Sequence, residues 1–223
     1  MGKFIELKAA DGHKFAAYVA TPAGKPRGGV VVIPEIFGVN SHIQQTTDGF
    51  AADGYLAVSP AMFDRAQRNY DTGYSQPEIQ AGVAIMQKLD PKNSMMDVQA
   101  AIAEASRGGK VGIVGYCFGG TIAWMAAARA SGLACSVPYY GGGMHGLIGE
   151  KPKIPVMCNF GETDHSPTLA QAKEIAAAHP EITAHFYAGA GHGFNCDQRG
   201  SWNAEAAKLA RSRTIDFFRK HLG

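Results

Sequence analysis

Short apolar runs alternate with stretches of helical length through most of this chain, and this alternation restricts the fold more than any other feature. The runs are apolar without interruption, which is typical of strands buried on both faces. The alternation predicts right-handed crossovers and a mostly parallel sheet with helices on both faces. The predicted strands are 29–34, 55–58, 111–114, 134–137, 154–157 and 182–187, and the predicted helices are 41–53, 77–89, 94–106, 121–130, 168–178 and 204–221.

The first twenty residues follow a different pattern, in which apolar and polar residues alternate on either side of Asp11-Gly12. This pattern predicts a hairpin that adds antiparallel strands at one edge of the sheet. The chain shows no internal repeat or linker, and its 223 residues fit one large domain. We therefore expect a single α/β domain over residues 1–223.

Composition excludes several classes of protein. Hydrophobic residues make up 46% of the chain and the net charge is only +2, which argues against disorder and against a nucleic-acid partner. No apolar run approaches the ~20 residues of a membrane span, and the N-terminus lacks an export signal, so we expect a cytoplasmic protein without a membrane partner. The four cysteines form no C-x-x-C pair, so we expect free thiols and no metal.

The segment Gly115-Tyr116-Cys117-Phe118-Gly119-Gly120 lies between a predicted strand and a predicted helix. This is the G-x-C-x-G form of a nucleophile elbow, in which small flanking residues let a strained turn lift the nucleophile above the sheet. Cys117 would then sit at the positive end of the next helix, which favours a thiolate. The N–H of Phe118 would point at a developing oxyanion. The alternative is a glycine-rich turn that carries an incidental cysteine.

A cysteine nucleophile needs a base, and the base needs an acid to orient it. In an elbow fold these partners follow in the order nucleophile, acid, base. His192 lies between two glycines after the last predicted strand, and Asp164 and Glu162 both follow the strand before it. We predict His192 as the base and prefer Asp164 to Glu162 as the acid. The alternative for His192 is an ordinary solvated loop histidine.

The segment Pro34-Glu35-Ile36-Phe37-Gly38 follows the first buried strand. The loop at this position supplies the second oxyanion donor in such folds, which predicts that the N–H of Ile36 fills that role. A carboxylate at Glu35 is unexpected there. The alternative to a role in the site is a helix-capping or surface glutamate.

Four ordered motifs together resemble the dienelactone hydrolase family, and the likeness runs from about Phe4 to His221. The resemblance implies a single-domain α/β-hydrolase fold with a triad of Cys117, His192 and Asp164, and a Glu35 that holds the resting thiol and helps to ionise it. Characterised members of the family open the lactone ring of 4-carboxymethylenebut-2-en-4-olide. The motifs are Pro34-Glu35-Ile36-Phe37-Gly38, Gly115-Tyr116-Cys117-Phe118-Gly119-Gly120, Gly161-Glu162-Thr163-Asp164 and Gly189-Ala190-Gly191-His192-Gly193-Phe194.

The sequence departs from the family where two arginines usually hold the substrate carboxylate. Cys196 stands four positions after His192, where the family has one of them, and the region of the other offers only displaced arginines. Loss of a planar, bidentate clamp weakens recognition of a carboxylate. The residues that could replace the clamp or line the site are Arg68, Tyr74, Tyr140 and Arg199.

The sequence thus predicts a monomeric thiol hydrolase of small ester or lactone substrates that forms a covalent acyl-enzyme and needs no cofactor or metal. One alternative is a carboxylesterase of broad specificity that acts on short acyl esters. Another is a binding protein with the same fold and no turnover. The order of the nucleophile, acid and base argues against the binding protein, because binding alone needs no such alignment.

Overall fold

The computed structural model describes residues Met1–Gly223, which form an eight-stranded sheet flanked by six helices. The strands lie in the order β1-β2-β4-β3-β5-β6-β7-β8 across the sheet. They are β1 (Lys3–Lys8), β2 (Lys14–Ala20), β3 (Gly29–Ile33), β4 (Leu56–Pro60), β5 (Val111–Tyr116), β6 (Leu133–Tyr139), β7 (Met157–Gly161) and β8 (Thr183–Tyr187). The helices are α1 (Ser41–Ala52), α2 (Gln76–Met86), α3 (Pro91–Ala105), α4 (Phe118–Arg129), α5 (Leu169–Ala178) and α6 (Ala204–Leu222).

The edge hairpin and the parallel sheet agree with the sequence. Strand β1 pairs with β2 and β2 with β4 in antiparallel fashion, whereas every pair from β4 to β8 is parallel. The predicted α/β architecture with its antiparallel edge is therefore confirmed. In such sheets the carboxyl ends of the strands share one edge, and the loops that follow β3, β5, β7 and β8 meet there.

The sheet is buried on both faces, as the uninterrupted apolar runs predict. Along β3, Val30 and Val32 belong to the core shared with α1 and α6. Val31 and Ile33 alternate with them and belong to the core shared with α3 and α4. All four side chains are fully buried, because a strand with helices on both sides has no polar face to offer to water.

Two boundaries differ from the sequence prediction in a way that matters for the site. The strand expected over 154–157 is β7, which begins at Met157, because Pro155 has no N–H for a strand ladder and Val156 forms only an isolated bridge with Ser136. The helix expected to begin at Thr121 begins at Phe118, directly after the nucleophile candidate.

None of the helices combines the length and the apolar composition that crossing a membrane requires.

Candidate active site

Cys117 occupies a sharp turn between β5 and α4, with φ of 57° and ψ of −114°. A Cβ atom on Gly115 would lie 1.9 Å from the carbonyl oxygen of Gly119, and one on Gly119 would lie 2.3 Å from the carbonyl oxygen of Ile33. Side chains are therefore excluded at both flanking positions, which is the physical reason for the G-x-C-x-G spacing. The turn leaves Cys117 half-buried at the N-terminus of α4.

His192 and Asp164 meet at the carboxyl ends of β8 and β7. The Nδ1 atom of His192 lies 3.1 Å from Oδ2 and 3.2 Å from Oδ1 of Asp164. Asp164 also accepts a hydrogen bond from the backbone N–H of Ser166, and its side chain is almost fully buried. Glu162 is exposed and makes no contact with the histidine. The structure thus places Asp164, rather than Glu162, in the position that orients His192.

The charges around His192 favour its protonated form. Burial opposes that charge, but the charge interactions and hydrogen bonds of the imidazole with Cys117 and Asp164 outweigh burial, so the pKa of His192 is raised above its usual range. The ring also packs edge-on against Tyr140, with 5.2 Å between the ring centroids. This ring contact limits the rotation of the imidazole, so that Nε2 is available on the side away from Asp164.

Two backbone N–H groups beside Cys117 are free to bind an oxyanion. Phe118 is the first residue of α4, where N–H groups have no partner within the helix, and Ile36 follows β3 in the loop beside the elbow. Neither N–H donates a hydrogen bond inside the protein. Both residues line the cavity that contains Cys117.

Glu35 is buried beside this site and is paired with Arg199. The Nη1 atom of Arg199 donates to Oε1 of Glu35 over 2.9 Å, while Oε2 of Glu35 has no partner. No hydrogen bond joins Glu35 to Cys117. Burial opposes the charge of Arg199, but Glu35 outweighs it and raises the pKa of the guanidinium, which also lies over the rings of Phe37 and Tyr74. Glu35 is therefore neither a helix cap nor a surface residue.

A cavity of about 620 Å³ opens beside the elbow, within the usual size range for a small-molecule site. More than half of the residues that line it are hydrophobic. The lining comprises Ile36, Phe37, Ile79, Val83, Met86, Leu89, Pro91, Ser94, Cys117, Phe118, Thr121, Ile122, Met125, Gly142, Gly143, Leu147, Asp164, His165, Ser166, His192 and Arg199. The predicted nucleophile, acid, base and oxyanion donors thus all meet at one cavity.

Of the four residues considered for substrate binding, Arg199 alone lines the cavity. Arg68 is exposed and donates to the backbone carbonyl of Lys14 at the far edge of the sheet. Tyr74 lies against Arg199 and accepts a hydrogen bond from Asn40, outside the cavity. Tyr140 is fully buried behind His192. The second cationic residue that the resemblance led us to look for is therefore absent from the cavity wall.

Cys196 has an environment unlike that of Cys117. Its side chain is fully buried, does not reach the cavity, and burial raises the pKa of its thiol to about 11. Potential metal-ligand atoms of His42, Cys196 and Asp197 lie within 4.8 Å of one another, and His42 Nδ1 is 3.0 Å from the Asp197 carboxylate. We interpret this group as a hydrogen-bonded cluster that attaches α1 to the loop after β8.

Sequence reasoning missed the cavity wall that α2 contributes. Ile79, Val83 and Met86 are spaced at i, i+4 and i+7, so they share one face of the helix. This apolar spacing was visible in the sequence, but it is equally typical of a helix face that packs on the core. Only the structure distinguishes a face that lines a cavity from one that packs on the core. The side chains of Ile79, Val83 and Met86 are half-buried and line the cavity.

The parallel sheet with an edge hairpin and the elbow between β5 and α4 define an α/β-hydrolase. The model of the dienelactone hydrolase family matches residues 15–222 of the chain. A putative carboxymethylenebutenolidase from Azospirillum brasilense is 38% identical, over 98% of this chain and 99% of its own length. A carboxymethylenebutenolidase from Pseudomonas putida is 33% identical, over 96% of this chain and 94% of its own length. The chain belongs to the dienelactone hydrolase family and is a hydrolase.

Solved structures with lower identity share the fold. A putative dienelactone hydrolase from Klebsiella pneumoniae superposes with a TM-score of 0.83 at 24% identity, covering 98% of this chain and 99% of the other. A dienelactone hydrolase-like promiscuous phosphotriesterase from metagenomic libraries gives a TM-score of 0.80 at 20% identity, covering 100% of this chain and 99% of the other. The fold is thus the same over the whole length of these chains.

Proposed function

We propose that this protein is a thiol hydrolase of ester or lactone bonds, with Cys117 as nucleophile, His192 as general base and acid, and Asp164 as its orienting partner. The observation that carries this proposal is the convergence of these three side chains on one cavity, with the hydrogen bond from His192 Nδ1 to Asp164. The hydrogen bond leaves Nε2 of His192 as the atom that exchanges protons with the sulfur and the substrate.

In the first half of the reaction, the sulfur of Cys117 attacks the substrate carbonyl carbon. The thiol proton resides on His192, and the carbonyl oxygen becomes an oxyanion held by the N–H groups of Ile36 and Phe118. The C–O bond of the ester then breaks, and His192 returns its proton to the leaving oxygen. The product of this step is a thioester on Cys117; with a lactone, the leaving hydroxyl stays on the same molecule.

In the second half, a water molecule attacks the carbonyl carbon of the thioester. His192 takes a proton from the water, and the oxyanion returns to the same two N–H groups. The C–S bond breaks, His192 gives the proton to the sulfur, and the carboxylic acid product leaves. The positive N-terminus of α4 favours the thiolate in both halves, since it lies next to the sulfur.

Two substrate classes remain candidates. Curated relatives carry the name carboxymethylenebutenolidase, which supports a lactone. The cavity instead supports an uncharged ester, because Arg199 is its only permanently cationic residue and is already paired with Glu35. The second candidate function is therefore a carboxylesterase that uses the same triad on uncharged esters.

The proposal is tested with 4-nitrophenyl acetate and the variant Cys117→Ala. Removal of a nucleophile from a triad lowers kcat by about 10⁴-fold or more, and we expect a loss of that size. Cys158→Ala is the matched control, because Cys158 is fully buried in β7 and does not touch the cavity. Equal activity of the two variants at unchanged melting temperature would contradict the assignment of Cys117.

A further inference from the structure

We propose that the cavity between α2 and α4 is an acyl-binding site, and that this protein prefers uncharged esters with an apolar acyl chain of medium length. This inference rests on the proposed thiol hydrolase function and specifies its substrate. It also assigns a role in specificity to Val83 and Met86.

Two helix faces contribute apolar side chains to the lining of the cavity. Phe118, Ile122 and Met125 are spaced at i, i+4 and i+7 along α4, and they line one wall. The facing wall is the apolar stripe of α2 that begins at Ile79 and ends at Met86. Apolar side chains on both sides gain free energy when they bury a hydrocarbon chain, and they gain none from a carboxylate or hydroxyl group.

The position of α2 depends on a glycine. A Cβ atom on Gly82 would lie 2.5 Å from the carbonyl oxygen of Ile36, so the helix backbone sits directly against the proposed oxyanion donor. The apolar residues of α2 therefore begin next to the loop that carries the proposed oxyanion donor. A hydrocarbon chain attached to the reacting carbonyl can enter the cavity beside these residues.

The sheet order indicates which end of the substrate enters. Strand β5 carries Cys117 and lies between β3 on one side and β6, β7 and β8 on the other. His192 follows β8 and protonates the leaving oxygen, so the alcohol part departs on that side. Ile36 follows β3, and α2 packs against it. The acyl part, which stays bonded to the sulfur, is thus directed toward α2.

The length of the wall sets the length of the chain. Met125 is eight residues beyond Cys117, which corresponds to about 12 Å along α4 at 1.5 Å per residue. Bonds of about 1.5 Å at tetrahedral angles advance an extended chain by about 1.3 Å each, so an acyl chain of about ten carbons spans this distance. Octanoyl and decanoyl esters fit this length, whereas an acetyl group leaves most of the apolar wall unused.

The charges in the cavity disfavour an anionic acyl group. Arg199 is neutralised by Glu35, and the other charged lining groups, Asp164 and His192, belong to the proposed catalytic triad. A second carboxylate in the substrate would have to break the Glu35–Arg199 ion pair or remain without a partner. Both alternatives cost free energy in a buried site.

The first experiment compares kcat/KM for 4-nitrophenyl acetate, butyrate, octanoate and decanoate. Burial of even part of the longer chain removes apolar surface from water, so kcat/KM for octanoate should be about 10- to 100-fold higher than kcat/KM for acetate. Methyl octanoate should likewise exceed octyl acetate by about tenfold, measured by proton release. Equal values in the first comparison, or the reverse order in the second, would overturn the acyl-site proposal while leaving the hydrolase intact.

A second experiment fills the cavity. Val83→Trp places a large ring between α2 and α4 and should abolish the preference for octanoate over acetate. Ala84→Trp is the matched control, because Ala84 is the next residue on the same helix and faces solvent. If both variants keep the octanoate preference, or both lose it equally, the cavity does not bind the acyl chain.

A binding measurement separates this proposal from the proposed reaction. Titration calorimetry with octanamide and acetamide reports occupancy of the cavity without any turnover. We expect octanamide to bind at least about tenfold more tightly than acetamide to the wild type, and Val83→Trp to remove the difference. Should no ester be hydrolysed at all, the proposed function fails, and the octanamide result still decides whether the apolar site exists.

Discussion

Arg199 and Glu35 form a buried ion pair that joins the loop after β8 to the loop after β3, with Nη1 of the arginine 2.9 Å from Oε1 of the glutamate. The carboxylate is 1% exposed and the guanidinium 15% exposed, so water compensates neither charge well. The pair holds together the two loops that carry the proposed base and one proposed oxyanion donor. It also pairs the one arginine that lines the cavity.

Removing one member of this pair should destabilise the fold. Arg199→Met leaves the Glu35 charge buried without a partner, and we expect the free energy of unfolding to fall by about 3–5 kcal/mol. The double variant Glu35→Gln/Arg199→Met removes both charges and should recover most of that loss. Urea unfolding of the wild type and the variants measures these free energies of unfolding. A double variant no more stable than Arg199→Met would show that the guanidinium acts through packing instead.

The acid of the triad is tested by neutral isosteres. Asp164→Asn cannot hold the Nδ1–H tautomer of His192, so kcat for 4-nitrophenyl acetate should fall by about 10⁴-fold with little change in melting temperature. Glu162→Gln is the matched control, since Glu162 is exposed and follows the same strand. It should retain activity close to that of the wild type. Comparable losses of kcat in both variants would contradict the assignment of Asp164, rather than Glu162, as the residue that orients His192.

The protonation of His192 should depend on Cys117. Burial lowers the pKa of His192, but the net shift is upward, and the largest contribution in that direction is the charge interaction with Cys117. Cys117→Ala should therefore lower this pKa, which NMR titration of the imidazole Cε1–H signal measures directly. His221 in α6, whose pKa is lowered by burial, lies outside the cavity and is the control; its titration should be the same in both proteins. An unchanged His192 titration in the variant would mean that the thiolate and the imidazole do not interact.

The raised pKa of His192 makes the free energy of unfolding depend on pH. A group whose pKa is raised on folding stabilises the protein fully below its unfolded pKa of about 6.5, and this contribution is lost as the pH rises through the folded pKa. The free energy of unfolding of the wild type, relative to His192→Ala, should thus be greatest near pH 6 and decrease toward alkaline pH. A difference that stays constant with pH would contradict the raised pKa.

Glu35 should slow the reaction of the free thiol with alkylating agents. Its negative charge offsets that of Arg199, so Glu35→Gln leaves an uncompensated cation near Cys117 that favours the thiolate. Alkylation by iodoacetamide at neutral pH should become faster, while turnover should become slower because the Arg199 side chain loses its fixed position. Mass spectrometry must locate the adduct on Cys117, and Glu162→Gln should leave both rates unchanged.

Local patterns in the sequence were sufficient to predict the sheet and to select the candidate site residues along the chain. The glycines at 115 and 119 favour a nucleophile elbow once a strand precedes them and a helix follows, because any side chain at either position would meet the backbone. The order of Cys117, Asp164 and His192 then follows from strands whose carboxyl ends share one edge of the sheet. These features could be predicted because each depends on a few neighbouring residues.

Contacts between distant segments could not be predicted in this way. Nothing near Glu35 in the sequence indicates that Arg199 reaches it, since 164 positions separate the two residues. The apolar spacing of α2 is visible in the sequence. Whether this face packs on the core or lines an open cavity depends on the distance between α2 and α4. That distance is a property of the packed structure alone.

The contact between Gly82 and Ile36 restricts how this cavity can evolve or be redesigned. Because the backbone of α2 already touches the loop that carries the proposed oxyanion donor Ile36, the helix cannot move closer to that loop without displacing it. Changes in chain-length selectivity must therefore come from exchanging side chains on a fixed frame. Shortening Val83 or Met86 would deepen the cavity while the reacting carbonyl keeps its position, so selectivity and rate can be altered independently.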